Sequence, residues 1–296
     1  MEWFFYALIS AIAFGCYYLL LKKNLAREHA FVYLAFYSFV IAMISLVFYK
    51  QVVLPTSLLQ AFLLLLDGFF LACFFLFMTY AYKNLEGSEV SPLGNLSLLL
   101  TILLSVLILG ETLTFLDILG IFFMIAGVYL LEIGVKIKNF GIVLKDKHRK
   151  YLIYIIIGLI FSSLTSIIEK IVLSPEVLGL PIPSTDPVSF HVITRFVIFF
   201  FFIPVAALRP NFVQGIKHGY KNVGFGVLIA AAIYTIANIL YFKAMDLGKV
   251  SHVIPVAALS SLFVTIVGGT LFHEHRLKQK IIACLVIIFG VWLIVM

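Results

Sequence analysis

Residues 81–113 read AYKNLEGSEVSPLGNLSLLLTILLSVLILGETL, and residues 244–276 read AMDLGKVSHVIPVAALSSLFVTIVGGTLFHEHR. The two stretches align without a gap at a constant offset of 163 residues, and the similarity continues through residues 130 and 293. A duplicated apolar unit of this length predicts two related structural halves. Identical residues stand at Ala81 and Ala244, Ser88 and Ser251, Val90 and Val253, Pro92 and Pro255, Ser97 and Ser260, Glu111 and Glu274, and Gly127 and Gly290.

The composition places the chain in a lipid bilayer. Its mean hydropathy is +1.15, 63% of its residues are apolar and only 12% are charged, whereas a soluble domain carries about 25% charged residues. The net charge of +7 lies in loops and fits anionic lipid headgroups, so we predict the bilayer and no nucleic acid as a partner. The three cysteines lie inside apolar runs, which excludes a disulfide framework or a CxxC metal pair.

Ten apolar stretches, each long enough to cross a membrane as a helix, predict an all-α integral membrane protein. Basic segment 135–150 divides them, so we predict a first five-helix repeat over 1–134, a linker over 135–150 and a second repeat over 151–296. The three prolines of loop 174–186 favour extended structure there. The predicted spans are 3–21, 30–49, 57–82, 89–110, 114–134, 151–173, 187–208, 222–245, 251–272 and 277–295.

Five spans per repeat is an odd number, so the second repeat enters the membrane in the opposite direction to the first. The two repeats are then related by a pseudo-two-fold axis in the membrane plane, which is the arrangement of many secondary transporters. It predicts a central cavity near the middle of the bilayer. It also predicts alternating access, in which the two five-helix units move against each other.

The distribution of Lys and Arg predicts the orientation. We name the side of the N terminus side A and the opposite side side B. Sixteen Lys and Arg residues fall in side-B loops, including the linker 135–150, whereas side A has only Lys50, Lys243 and Lys249. The positive-inside rule then places side B in the cytoplasm and both termini outside, in a plasma or inner membrane.

Ionisable side chains within spans are rare and mark candidate functional positions. Asp67 lies ten residues into its span from side A, a depth of about 15 Å, and Arg195 lies at about 12 Å. We predict a polar vestibule reached from side A, with these two residues deepest and able to pair. The predicted substrate-binding residues are Asp67, His191, Arg195, Asn238, Tyr241, Asn95, Tyr17 and Tyr234. The structural alternative is an ion pair between Asp67 and Arg195, with Lys170 and Lys243 reaching the membrane surface.

Three pairs of repeated residues are predicted to be structural. Glu111 and Glu274 stand at matching junctions, where a carboxylate can accept hydrogen bonds from the first amides of the following helix. Pro92 and Pro255 are expected in the first turn of their helices, where a missing amide costs little. Gly127 and Gly290 are expected to allow close helix packing.

Motifs for catalysis and cofactors do not stand out. The two histidines of His273-Glu274-His275 are two residues apart and do not share a helix face, so this segment is a weak metal signal. No Walker A, G-x-S-x-G or glycine-rich nucleotide motif occurs. We therefore predict no catalytic residue, no metal site and no cofactor.

The two halves resemble one known pattern: an Ala, then a Pro, a helix of small residues, a Glu, and a last span ending on Gly-Val. The residues that carry it are Ala81, Pro92, Glu111, Gly127 and Val128, and Ala244, Pro255, Glu274, Gly290 and Val291. This resembles the EamA-type members of the drug/metabolite transporter superfamily over essentially the whole chain. The resemblance implies helices four and nine lining a cavity with parts of one, three, six and eight, and helices five and ten outside.

Two features depart from these relatives. His273 stands where they usually have Gly before Glu, and they tend to keep both termini in the cytoplasm, the reverse of the charge-based orientation.

The function that follows is a secondary transporter of a small polar or amphipathic metabolite, with an amino acid favoured, acting as a monomer or homodimer. Asp67 would bind the ammonium group of a zwitterion and Arg195 its carboxylate. The alternatives are an intramembrane lipid-modifying enzyme and a non-transporting receptor or scaffold.

Overall fold

Helices make up almost all of the chain that the structure describes. The computed structural model describes residues 2–25, 30–84, 96–133, 146–207, 212–260, 263, 267 and 277–295. Ten α-helices and no strand occur within these ranges. They are α1 (Glu2–Leu25), α2 (Ala30–Ser45), α3 (Leu58–Asn84), α4 (Leu96–Leu109), α5 (Phe115–Ile133), α6 (Asp146–Leu173), α7 (Pro187–Ala207), α8 (Phe212–Leu247), α9 (Val250–Ala257) and α10 (Leu277–Val295).

The predicted all-α membrane fold is confirmed. Six described stretches are long and apolar enough to cross a membrane, judged by length and composition: Glu2–Leu21, Tyr33–Gln51, Leu58–Ala81, Ile153–Leu173, Pro187–Pro204 and Gly224–Leu247. Shorter apolar helices at Ser97–Leu109, Phe115–Gly127 and Leu285–Ile294 coincide with three further predicted spans. Within lipid, a helix satisfies its backbone hydrogen bonds internally, which is why apolar runs of this length fold in this way.

Two loop predictions need correction. Helix α6 begins at Asp146, so residues 146–150 of the predicted linker are helical, while residues 135–145 lie outside the described residues. The loop 174–186 is not extended throughout, because Pro175–Leu178 forms a 3₁₀ turn that ends at Gly179 with φ of +61°. Proline at the first position of a helical turn already has the φ that the turn needs, and glycine accepts the left-handed end.

Side chains on side A fix where helices begin. The Thr114 amide donates to Asp117 Oδ2 at 2.8 Å and the Asp117 amide donates to Thr114 Oγ1 at 3.2 Å, a capping box at the start of α5. Asp186 Oδ1 accepts from the amides of Val188 and Ser189 at 2.9 and 3.1 Å at the start of α7. Each of these caps satisfies amides that have no partner within their helix.

The two halves of the chain are interleaved. Helix α1 packs on α8 and α9, and its sequence counterpart α6 packs on α3 and α4. Helix α2 packs on α8, and its counterpart α7 packs on α3. Helix α4 packs on its own counterpart α9, and α5 packs on its own counterpart α10. Exchanging each helix with its counterpart in the other half leaves this set of main contacts unchanged. The helix packing therefore has the pseudo-two-fold symmetry expected of a repeat.

Counterpart helices run in opposite directions. Ser45 at the end of α2 contacts His191 near the start of α7, at 3.1 Å between Oγ and Nε2. Phe39, further back in α2, lies against Phe199, further along α7, with ring centroids 5.6 Å apart. The two helices are thus antiparallel, as the odd number of spans per repeat predicts.

Two glycines bring α5 and α10 into backbone contact. A Cβ added at Gly120 would lie 2.6 Å from the Gly290 carbonyl oxygen, and one added at Gly290 would lie 2.6 Å from the Gly120 carbonyl oxygen. Phe123 and Phe289 pack edge to face beside them, at 5.0 Å between ring centroids. The predicted packing role of Gly290 is confirmed, with Gly120 as its partner. The main contacts of α5 and α10 outside this pair are with α9, so the two helices lie at the periphery.

We expect Gly290→Ala to destabilise the protein by about 1–3 kcal/mol, because the added methyl group meets backbone atoms that cannot rotate away. The measurement is the thermal midpoint of the detergent-solubilised protein. Ile288→Ala is the matched control, since the Ile288 side chain is exposed on the same helix. Equal midpoints for Gly290→Ala and the unmodified chain would contradict the close α5–α10 contact.

Candidate substrate site

Three ionisable residues of the membrane interior lie together. Asp67 on α3, Glu169 on α6 and Arg195 on α7 have exposed fractions of 0%, 5% and 3%. The Asp67 carboxyl interacts electrostatically with both Glu169 and Arg195, and Tyr241 of α8 interacts with both carboxyl groups. We call Asp67, Glu169, Arg195 and Tyr241 the polar cluster.

Helix packing explains why these residues meet. Gly68, next to Asp67, allows α3 to approach α7 so closely that an added Cβ would lie 2.6 Å from Val197 Cβ. Helix α6 packs on α3 and contacts α8. Measured from the helix ends on side A at about 1.5 Å per residue, Asp67 lies about 14 Å deep, Arg195 about 12 Å and Glu169 about 6 Å.

Asp67 and Arg195 do not form the predicted ion pair. Among the described residues, neither oxygen of Asp67 has a hydrogen-bond partner, and Nε and Nη2 of Arg195 have none either. Arg195 Nη1 donates to the Tyr234 hydroxyl at 3.2 Å, and the guanidinium lies 5.4 Å from the centroid of the Tyr234 ring. The structural alternative of a closed Asp67–Arg195 pair is therefore wrong for this structure, which leaves both groups free to bind a third.

Glu169 has a protein partner and was missing from the predicted site. The Tyr241 hydroxyl donates to Glu169 Oε2 at 3.2 Å, across the α6–α8 contact. Its position close to the end of a predicted span is typical of a residue that reaches the membrane surface, so the sequence pattern did not select it. The predicted residue Tyr241 does lie in the site, through this hydrogen bond.

Ser45 accepts a hydrogen bond from His191. The Ser45 hydroxyl donates to the Ile41 carbonyl oxygen at 2.8 Å, so Ser45 Oγ accepts the 3.1 Å hydrogen bond from His191 Nε2. The other ring nitrogen, Nδ1, has no hydrogen-bond partner among the described residues. His191 lies one helical turn before Arg195 and joins α7 to α2.

The remaining predicted site residues lie at the edge of the cluster or outside the described chain. Asn238 Nδ2 donates to the Tyr234 carbonyl oxygen at 3.3 Å within α8, a bond within its own helix. Tyr17 packs on Tyr234, at 4.7 Å between ring centroids, and forms an aromatic wall beside Arg195. Asn95 lies outside the described residues.

The two lysines behave differently from each other. Lys170 does not reach the membrane surface, because its ammonium donates to the carbonyl oxygens of Met245 and Asp246 at 2.8 and 3.0 Å and to Ser174 Oγ at 3.2 Å. It thereby satisfies carbonyl groups at the end of α8, where a positive charge is favourable. Lys243 is exposed, as the surface interpretation predicts.

Hydrogen bonds join the two halves on side A above the polar cluster. Gln60 at the start of α3 donates through Nε2 to Thr185 Oγ1 at 2.8 Å and to the Pro183 carbonyl oxygen at 3.2 Å. The Val53 amide donates to Ser189 Oγ at 2.8 Å. These bonds join the loops of the two halves, and the cluster below them is buried. Among the described residues, these contacts lie between the polar cluster and side A.

Glu111 caps a helix of the other half. Its Oε1 accepts from the Val250 amide at 2.6 Å and its Oε2 from the Ser251 amide at 3.0 Å, while Lys249 Nζ donates to the Thr112 carbonyl oxygen at 2.8 Å. Glu111 thus caps α9 of the other half, whereas the capping box of Thr114 and Asp117 serves the following helix α5. Glu274, its counterpart, lies outside the described residues.

Pro255 also differs from its prediction. It is the sixth residue of α9, beyond the first turn, because the helix already begins at the Glu111-capped Val250. Pro255 is buried there. Pro92 lies outside the described residues. Gly127 is a buried residue of α5.

The chain matches the model of the EamA-like transporter family over residues 1–133 and 149–296. It belongs to this family. EamA-like proteins are ten-helix membrane transporters of the drug/metabolite type, so the predicted resemblance is confirmed. The chain is also similar to the crystal structure of another protein, with a TM-score of 0.69 and 15% sequence identity, over 98% of this chain and 95% of that one. This second similarity shows the fold alone. No curated protein matches the chain.

Membership in the EamA-like family places the polar cluster within a transport fold. The cluster draws on α3, α6 and α8, three of the helices that the resemblance expects around the cavity. It also uses α7, which contributes Arg195 and which that expectation omits.

We expect Glu111→Ala to lower the stability of the protein by about 0.5–2 kcal/mol, since two amides at the start of α9 lose their acceptor. Glu176→Ala removes an exposed carboxylate from the same side of the protein and is the control. Both are measured as thermal midpoints in detergent. A Glu111→Ala midpoint as high as that of Glu176→Ala would rule out a stabilising cap.

Proposed function

We propose that this EamA-like transporter carries a small zwitterionic metabolite, with an amino acid as the favoured class, by alternating access. The observation that carries the proposal is the pair Asp67 and Arg195, two opposite charges that are buried together and yet not joined. A buried charged group without a hydrogen-bond partner costs several kcal/mol. A bound ammonium and carboxylate would supply both missing partners through charge-assisted hydrogen bonds.

The neighbouring side chains fit the rest of such a solute. Tyr234 receives a hydrogen bond from Arg195 and presents its ring to the guanidinium. Tyr17 and Phe14 continue the aromatic surface, with ring centroids 4.7 and 5.6 Å from that of Tyr234. Small-molecule sites commonly combine a few fixed polar groups with an apolar wall. The aromatic wall would face the side chain of the amino acid.

Packing favours moving units that differ from the two sequence halves. Helix α1 packs most closely with α8 and α9, and α6 with α3 and α4, so each group combines helices from both repeats. The hydrogen bond between Tyr241 and Glu169 joins one group to the other. We propose that these mixed groups rock against each other, and that the contacts on side A break when the site opens there.

We expect Asp67→Asn and Arg195→Gln each to weaken amino-acid binding by about tenfold to a hundredfold, the value of a hydrogen bond to a charged group. The solute is first found by screening amino acids for thermal stabilisation, which reaches about 2.7 kcal/mol at a hundredfold excess over the dissociation constant. Transport is then measured as counterflow in proteoliposomes.

A matched pair of solutes makes this test specific. The unmodified protein should prefer the amino acid over the amine that lacks its carboxylate, and Arg195→Gln should lose this preference. Asp117→Asn is the control, because Asp117 is a buried carboxyl on α5 that lies 3.1 Å from His252 and outside the polar cluster.

Normal transport by Asp67→Asn and Arg195→Gln would refute the assignment. Binding without counterflow would favour the receptor, and turnover of a lipid in detergent would favour the enzyme.

We also propose, from the charge bias, that side B faces the cytoplasm and side A the outside. Glu176 is exposed on side A, so Glu176→Cys should react with a membrane-impermeant maleimide in intact cells. The unmodified chain, labelled in parallel, reports any reaction at its own cysteines. Labelling of Glu176→Cys only after the cells are permeabilised would reverse the orientation.

A further inference from the structure

The polar cluster carries an odd number of charges. Two carboxyl groups, Asp67 and Glu169, face a single guanidinium, that of Arg195, and all three are at least nine-tenths buried. With every group ionised, the cluster has a net charge of −1. A net charge confined in a low-dielectric interior is unfavourable, so the buried cluster is expected to hold one additional positive charge.

Within the part of the chain that the structure describes, the surrounding helices supply no other free cation to balance it. The groups that interact with Glu169 are Asp67 on α3, Arg195 on α7 and Tyr241 on α8. Ser166 on α6 interacts with Tyr241. Helix α4 has no ionisable residue between Leu96 and Leu109. The neighbouring cationic side chains among the described residues are engaged elsewhere: Lys170 binds the carbonyl groups at the end of α8, Lys243 is exposed, and His191 Nε2 donates to Ser45 Oγ.

A zwitterion does not change this balance. Its ammonium and carboxylate would satisfy Asp67 and Arg195 and add no net charge, so Glu169 would still need a positive partner. A solute with a second ammonium group would bring that charge itself. Glu169 is also nearer to side A than Asp67, at about 6 Å against about 14 Å along the helices, and the Tyr241 hydroxyl orients its carboxyl group.

We propose that Glu169 is a proton site of the transporter, protonated while the cluster holds a zwitterion and deprotonated when the bound solute carries one further positive charge. This inference rests on the proposed function of the same site. When a diamino acid binds, the O–H bond of Glu169 breaks, its proton passes to water, and the second ammonium takes its place. The transporter therefore binds cationic amino acids in exchange for a proton.

The test compares solutes of equal chain length: norvaline with ornithine, and norleucine with lysine. Between pH 6 and 8, the affinity for the cationic member is expected to rise by up to tenfold per pH unit, because one proton is released. The affinity for the neutral member should stay flat. Calorimetry in two buffers of different ionisation enthalpy should show release of one proton for the cationic member alone.

Glu169→Gln should abolish the difference in pH dependence and lower the ratio of lysine to norleucine affinity by about tenfold or more, the loss of a charge-assisted bond. We measure the ratio of the two affinities because a substitution that weakens binding of both solutes equally leaves this ratio unchanged. Glu176→Gln, an exposed carboxyl outside the cluster, should leave the ratio unchanged.

The outcomes separate this inference from the function on which it rests. Identical pH dependence for both members of each pair, without proton release, overturns the proton site while leaving the amino-acid site in place; these measurements need no variant. Binding of neither member, when the screen finds no other zwitterion, overturns the proposed function and this inference together.

Discussion

Packing of each helix against an antiparallel partner from the opposite half of the chain is the constraint on which the rest of the structure depends. In lipid the helices cannot be driven together by hydrophobicity, since the bilayer is as apolar as their own side chains. Close backbone approach and polar contacts decide the arrangement instead. Gly68, Gly120 and Gly290 supply the close approaches, and the side chain of Ser10 donates to the Ala237 carbonyl oxygen across the α1–α8 contact at 2.8 Å. Because the halves interleave, neither has a complete set of neighbours without the other.

The sequence predicts the number of helices and their inverted arrangement, because both depend on the lengths of apolar runs and on a visible repeat. It does not predict which faces meet. An almost uniformly apolar helix such as α3 has little contrast between its sides, so the face of Asp67 can be fixed only by its neighbours. The target of Glu111 shows the same limit: the carboxylate is a recognisable cap, yet its amides lie 139 and 140 residues further along the chain.

Position along a helix was a poor guide to the role of charged residues near helix ends. Glu169 and Lys170 are adjacent in the sequence and equally close to side A, and both fit the description of side chains that reach the surface. A step of about 100° around the helix sends Glu169 towards Tyr241 and Lys170 towards the end of α8. One belongs to the polar cluster and the other holds two helices together, and only the packing of α8 distinguishes them.

Rigid helix packing also explains how the protein can keep polar groups unsatisfied. A flexible site would let Asp67 and Arg195 close on each other, and a solute would then have to break that pair before binding. Arg195 is instead held by its hydrogen bond to Tyr234, and Asp67 is fixed beside the glycine contact between α3 and α7. The free energy lost by keeping the two charges apart becomes available when a solute with both charges enters. Because the same solute leaves Glu169 unbalanced, the arrangement that creates affinity for a zwitterion also makes the site sensitive to one further charge.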